Sequence, residues 1–313
     1  QKENVLAAIT VVRTILNTAA VTAPPDLWLI RQVLHTWKKL DVLDPVLSQE
    51  GIDPAACGLL EPELRIDLAF LLSRGYLTEK QGRYYAKDDG HTISTLQEAL
   101  RSDTNLIQTT PIEWADFFNG VSQDDTTIQR LTQFLKSPCT AATRRQTWCA
   151  NWSEINLGYR WVPVLLGLSQ SPCIHRLANS EPITHELQRW QDSPLGKPLM
   201  ELLENTGVMC VEGESLEPTS IGSRVFKRAA GPFGIIQAYQ PYMENLARIL
   251  HEGRKEVHVQ RGPNVAASQL ANRSSFEKAN KSLDKFCNDT EFSYQVYIEH
   301  ALGRGEATRQ RFE

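Results

Sequence analysis

Six cysteines in 313 residues, none of them in a C-x-x-C pair, give neither a disulfide framework nor a zinc signature. They are expected to be reduced and mostly buried. Long apolar runs are missing too: the most strongly apolar stretch, Trp161 to Leu168, falls well short of the roughly 20 residues that cross a bilayer, and it contains Pro163 and Gly167. No membrane partner is expected. The N-terminus, Gln1-Lys2-Glu3-Asn4, leads into an amphipathic stretch that lacks the apolar core and small-residue cleavage site of a secretory signal, so a cytoplasmic location is expected. Charge of one sign is also scarce. Against 37 Asp+Glu stand 33 Lys+Arg, and the net charge of -4 leaves no excess to attract a polyphosphate, which argues against a nucleic-acid partner.

What is present is a globular mixture, 41% hydrophobic and 22% charged, of a length that suits two or three domains. The chain begins without methionine and stops at Arg311-Phe312-Glu313 inside a helical pattern, so it reads as a piece of a longer polypeptide. Residues Val5, Leu6, Ile9, Val12, Ile15 and Leu16, three and four apart, make the stripe of an amphipathic helix that needs a partner surface. A break is expected at Pro24-Pro25, with Asp26 as the N-cap of a helix carrying Leu27, Ile30, Val33, Leu34 and Trp37. Leu60 to Leu72 is a further helix, stopped at Arg74-Gly75, and Tyr76–Thr78, a turn at Lys80-Gln81-Gly82 and Arg83–Ala86 form a short hairpin. Helices followed by such a hairpin outline a winged helix, placed at about 24–90.

The segment 95–170 has apolar clusters at helical spacing, with breaks expected at Pro111, Pro138 and Pro163, and reads as a helical connector. Its tryptophans Trp148, Trp152 and Trp161 are expected to fill a core. From Cys173 the earlier order returns: helices around Ile174–Leu177, Leu187–Trp190 and Leu195–Glu204, a stop at Asn205-Thr206-Gly207, then Val208–Val211 and Leu216–Thr219 about the turn Glu212-Gly213-Glu214, and a helix Ser220–Arg228. This is a second winged helix, at 172–230. Amphipathic helices follow at 235–252 and at Ser274–Phe286. The period then changes, because Phe292-Ser293-Tyr294-Gln295-Val296-Tyr297-Ile298 alternates like a strand and runs into Glu299-His300-Ala301-Leu302-Gly303-Arg304-Gly305-Glu306 and a helical Ala307–Phe312.

A strand, an acidic residue at its end, two glycines one residue apart and a helix make the opening unit of a nucleotide-binding α/β fold, in which bare backbone lets a ligand approach closely. Glu299 can accept from a ligand's ammonium group but would repel a phosphate. An ordinary tight turn explains the same residues. From about residue 148 onward the chain resembles the methyltransferase domains at the front of the apratoxin and saxitoxin polyketide assembly lines. The resemblance is carried by Trp161–Leu168, Thr219-x-x-Gly222-x-x-x-Phe226, Tyr239-x-Pro241-Tyr242-Met243, Arg261-x-x-Asn264-Val265-x-x-Ser268 and Glu299-x-Ala301-x-Gly303-x-Gly305, in the family's order and over about half of the chain. It implies S-adenosylmethionine as cofactor, held at Glu299, Ala301, Gly303 and Gly305, a small or carrier-bound acyl or polyketide-type substrate, and a homodimer, since such winged helices precede the core in small-molecule O-methyltransferases. Ala301 departs from the family's first glycine, and the ribose-binding acid of a second strand lies beyond this chain.

The implied fold is mainly α with two winged-helix (α+β) modules, leading into the first strand and helix of an α/β Rossmann-like methyltransferase core. Its divisions are 1–95, N-terminal helix and first winged helix; 96–171, helical connector; 172–230, second winged helix; 231–290, lid and linker helices; and 291–313, start of the core. Methyl transfer needs an acceptor held in line with a sulfonium, exclusion of water and, for an acidic carbon or hydroxyl, a base. His258, His300, Tyr239 and Tyr242 are the catalytic candidates, each with surface or packing roles as the competing explanation. Arg261, Asn264 and Ser268 are the candidate substrate-binding residues. Gly262-Pro263 marks a turn, Asn264 can cap the helix carrying Ala266, Ala267 and Leu270, and Arg261 can bind a carboxylate or pair with Glu256. Some relatives of the family are thought to use iron, yet no metal ligand stands out: Cys139 and Cys149 have no matching histidine pair. The competing function is a non-catalytic winged-helix interaction or regulatory module.

Overall fold

A computed structural model describes residues 2–101, 108–136, 149–181, 183–212, 215–255, 257–300 and 303–312. The fold is mainly helical, with two small two-stranded sheets. The long α1 (Lys2–Lys39) leads to α2 (Leu43–Leu47) and α3 (Glu61–Ser73), then to the hairpin β1 (Leu77–Lys80) and β2 (Arg83–Ala86). The hairpin pairs Lys80 with Arg83 across Gln81 and Gly82, both at positive φ, the conformation a tight two-residue turn requires. Next come α4 (His91–Arg101), α5 (Pro111–Asn119), α6 (Asp125–Lys136) and α7 (Trp152–Leu168). The order of helices then hairpin recurs in α8 (Cys173–Ala178), α9 (Thr184–Gln191), α10 (Gly196–Asn205), β3 (Met209–Glu212) and β4 (Ser215–Pro218), followed by α11 (Ser220–Arg228). The chain continues through α12 (Pro232–Glu244), α13 (Leu246–Glu252), α14 (Arg261–Thr290) and α15 (Glu306–Phe312).

The core is one continuous apolar cluster from Trp28 to Leu250. Its axis is α7, buried on nearly every side and packed between α1 and α5. Asn151 and Glu154 start that helix with a reciprocal capping box. Gly167 lets α5 approach so closely that an added Cβ would lie 2.2 Å from the Cβ of Trp114 and 2.8 Å from the backbone nitrogen of Ala115. The connector tryptophan Trp161 is buried, and Trp152 packs partly buried against the same cluster; Trp148 lies outside the described residues.

Several expectations are corrected. Pro24 and Pro25 do not break α1, which runs through them because the packing of its second half on α7 outweighs the amide donors the prolines lack. Asp26 is accordingly no N-cap; it accepts both ends of the Arg74 guanidinium, at 2.8 and 3.0 Å. Pro163 likewise sits inside α7, whereas Pro111 does begin a helix. Gly262-Pro263 and Ser274–Phe286 belong to the single helix α14, whose N-cap is Gln260 and not Asn264. Residues 292–299 form no strand, because no neighbouring strand among the described residues offers them a ladder, and Val296 and Ile298 are left exposed. Cys149 and Cys173 are buried, but Cys57, Cys210 and Cys287 are only partly so.

Candidate functional site

The predicted residues fall in two neighbouring places along α12 and α14. At the first, α14 carries a docking strip for the loop that precedes α15. Arg304 donates its backbone N–H to Oε1 of Gln269 at 3.0 Å, and Gly303, at φ +59°, lies so close to Gln269 and Val265 that a Cβ there would sit 2.2 Å from the amide nitrogen of Gln269. Gly305 also has positive φ, and its carbonyl accepts the backbone N–H of Arg309, so the second glycine turns the chain directly into α15. Half-buried Glu299 accepts from the hydroxyl of Thr308 on that helix. Asn264 and Ser268 lie on α14 beside Val265 and Gln269, so the candidate substrate residues and the glycine loop share one helix. Arg261 begins the same helix and is exposed; Glu256, its expected partner, and Ala301 lie outside the described residues.

The loop is anchored by a residue that the motif alone does not single out. Glu306 is buried, pairs with Arg273 of α14 at 3.3 Å and with Arg309, and accepts from Gln310 at 3.0 Å. Asn280 adds a hydrogen bond to the Ala307 carbonyl at 3.2 Å. The only sequence signal for this anchor is the spacing of Glu306 from Arg309 and Gln310, three and four residues on, which places them on one helical face.

Tyr239 and Tyr242 occupy the second place. Gly234 sits against Ala267 where α12 meets α14, and the Gln260 N–H donates to the Ala238 carbonyl at 3.2 Å, so the start of α14 adjoins Tyr239. Tyr242 turns toward α3 instead, where Arg254 stacks over its ring at 5.9 Å and pairs with Glu63 at 3.0 Å. Burial pushes the Tyr242 phenol up from its ordinary value against the pull of Arg254, and Glu63, Asp67 and Tyr239 push it further. A phenol so held keeps its proton near neutrality and serves poorly as a base. His258 and His300 are exposed, and among the described residues no side-chain hydrogen bond or ion pair engages either one.

Among the described residues no group of three or more His, Cys, Asp or Glu is placed to hold a metal ion, and no helix is long and apolar enough to cross a membrane. The pocket between α1, α5, α7 and α12, lined by Trp28, Gln32, Thr109, Tyr159 and Gln240, offers about 30 Å³ of free space. That is room for ordered water, not for a nucleoside cofactor. No protein-family model matches the chain, and no curated protein is significantly similar to it.

Proposed function

We propose that this chain is the N-terminal portion of an S-adenosylmethionine-dependent methyltransferase acting on a small or carrier-bound acyl or polyketide-type substrate in the cytoplasm, and that Glu299, Ala301, Gly303 and Gly305 begin its cofactor site. The observation that carries the reading is the loop itself: two glycines at positive φ separate an acidic side chain from the first turn of a helix. Glu299 would accept from the cofactor's ammonium group and Gly305 would leave the backbone bare beneath it, while Gly303 lets the loop seat against Gln269 of α14. The alternating, exposed side chains of Phe292, Val296 and Ile298 are those a strand would bury in a parallel sheet. Asn264 and Ser268 then face the acceptor side, and Arg261 supplies a cation for an acidic acyl group.

In this reading the two helix–hairpin units are winged helices that scaffold and pair chains. Nucleic acid is a poor partner for them, because the first hairpin balances Lys80, Arg83 and Lys87 with Glu79, Asp88 and Asp89, and in the second unit α10 exposes Glu201 and Glu204 against Lys197, while the cations of α11 are confined to one helical turn. Calorimetry with S-adenosylmethionine on the full-length protein tests the proposal. Glu299→Gln is expected to weaken binding by about 1.5–3 kcal/mol, the worth of a hydrogen bond to a charged group. Gly305→Val is expected to abolish it by steric contact. Gly303 and Gly305 both have positive φ, so either substitution strains the loop, and an unchanged thermal melt of the variant is what assigns its loss of binding to steric contact with the cofactor. Equal affinity in wild type and both variants would reduce the loop to a structural turn.

A further inference from the structure

Gly231, the N-cap of α12 just beyond the end of α11, approaches α14 so closely that a Cβ would lie 2.7 Å from the backbone nitrogen of Ala271, which brings α11 alongside α14. Between them opens a trough of about 680 Å³, within the size range of small-molecule sites. One wall is the α11 face of Ser220, Ser223, Arg224, Lys227 and Arg228; the other is the α14 face of Leu270, Arg273, Ser274 and Glu277, with Ala271 at the bottom. Arg224, Lys227 and Arg228 stand at i, i+3 and i+4, so three like charges crowd one helical turn at a cost to the helix. No ion pair engages them among the described residues, although Arg65, Arg74, Arg130, Arg176, Arg254 and Arg311 each meet a carboxylate. Arg273, opposite, is partly neutralised by Glu306 and Glu277.

We infer that this trough binds a small organic phosphate. The charge complementarity is local in a chain of net charge -4, and the cations converge within about one turn, which suits one compact anion better than an extended acidic surface. Guanidinium groups match phosphate oxygens in pairs, and Ser220 and Ser274 add neutral donors, the Ser223 hydroxyl being taken up by the Thr219 carbonyl and by Ser180. Leu270, 45% exposed, and Ala271 give an organic body an apolar floor. The trough uses none of residues 299–305; it shares Arg273 with the anchor of the cofactor loop, so the test variant changes α11 alone.

Phenyl phosphate, inorganic phosphate and phenol, titrated calorimetrically at physiological salt into wild type and into the exposed double variant Arg224→Gln/Arg228→Gln, test it. Wild type is expected to bind phenyl phosphate more tightly than inorganic phosphate and not to bind phenol. The double variant should lose at least tenfold in affinity while its thermal melt and circular dichroism are unchanged, and Lys197→Gln, a cation on α10 outside the trough, should bind as wild type does. Equal affinity in wild type and the double variant overturns the inference. So does binding of an acidic polypeptide or of duplex DNA that depends on Arg224 and Arg228 when phenyl phosphate shows none.

Discussion

Asp67 is a carboxylate sealed under α1, with the Trp37 indole donating to it over 3.4 Å. Burial pushes its pKa up from 3.8 to about 7, opposed by the Trp37 hydrogen bond and helped by Glu63. The folded state therefore holds this proton between pH 4 and 7 while the unfolded chain has lost it, so stability falls as pH rises through that window and stays lower above it. His35 on α1 works in the opposite sense. Burial, with Lys39 and Arg31 nearby, holds it down from 6.5 to about 4, so its contribution is present above 6.5 and is lost as pH falls toward 4. The two slopes offset each other in the wild type. Asp67→Asn, which keeps an acceptor for Trp37, should raise stability at pH 8 by roughly 1–3 kcal/mol, less than the full linkage because a buried amide makes polar demands of its own. Urea unfolding from pH 4 to 8 checks this: the variant's stability should rise with pH where the wild type's is nearly flat. Parallel curves would mean that Asp67 does not titrate in this range.

At the level of elements, the helix contacts that organise the core depend on small residues and on caps. Gly167→Ala drives a methyl into the backbone of α5, which cannot retreat without dragging Trp114 and Phe118 out of their packing, so a loss of about 2–3 kcal/mol is expected. Asn151→Ala removes one half of the capping box on α7 and should cost about 1 kcal/mol. Thermal or urea unfolding measures both, and a loss from Asn151→Ala exceeding that from Gly167→Ala would reverse this ranking of packing over capping. Local rules made much of the architecture legible: Gly75, Gly82 and Gly207 stop helices or turn hairpins at positive φ where a side chain would be strained. They misled at Pro24-Pro25, Pro163 and Gly262-Pro263, where helices continue because tertiary packing or a place in the first turn removes the proline penalty. In the candidate site the glycines and Glu299 could be read from their spacing. Gln269, Arg273 and the Arg254–Glu63 pair could not, since nothing local in the sequence joins residue 269 to 304 or residue 63 to 254.

For the whole molecule, the outstanding feature is the first half of α1, where every described side chain from Asn4 to Val12 is exposed, as is Ile15. Val5, Leu6, Ile9, Val12 and Ile15 are each 54–61% open to solvent. A free helical arm of that kind is poorly supported, because isolated helices are marginal in water and Val5, Ile9, Thr10, Val11 and Val12 are branched residues that lower helix propensity further. Val5, Ile9 and Val12 recur at four and three residues, the repeat by which one helix seats its side chains between those of another. A second copy of the chain supplies an identical stripe, and a two-fold contact covers both at once. The proposed homodimer is therefore expected to form through the α1 arms. Ile9→Glu/Val12→Glu should convert it to a monomer in sedimentation equilibrium, since a carboxylate at a facing position loses its hydration and meets its own symmetry mate. The arm should lose helicity in the same variant while the core, which begins at Trp28, keeps its melting temperature to within a few degrees. Wild type sedimenting as a monomer at high concentration would leave the stripe without this partner, and a variant that stayed dimeric would move the interface elsewhere on the molecule.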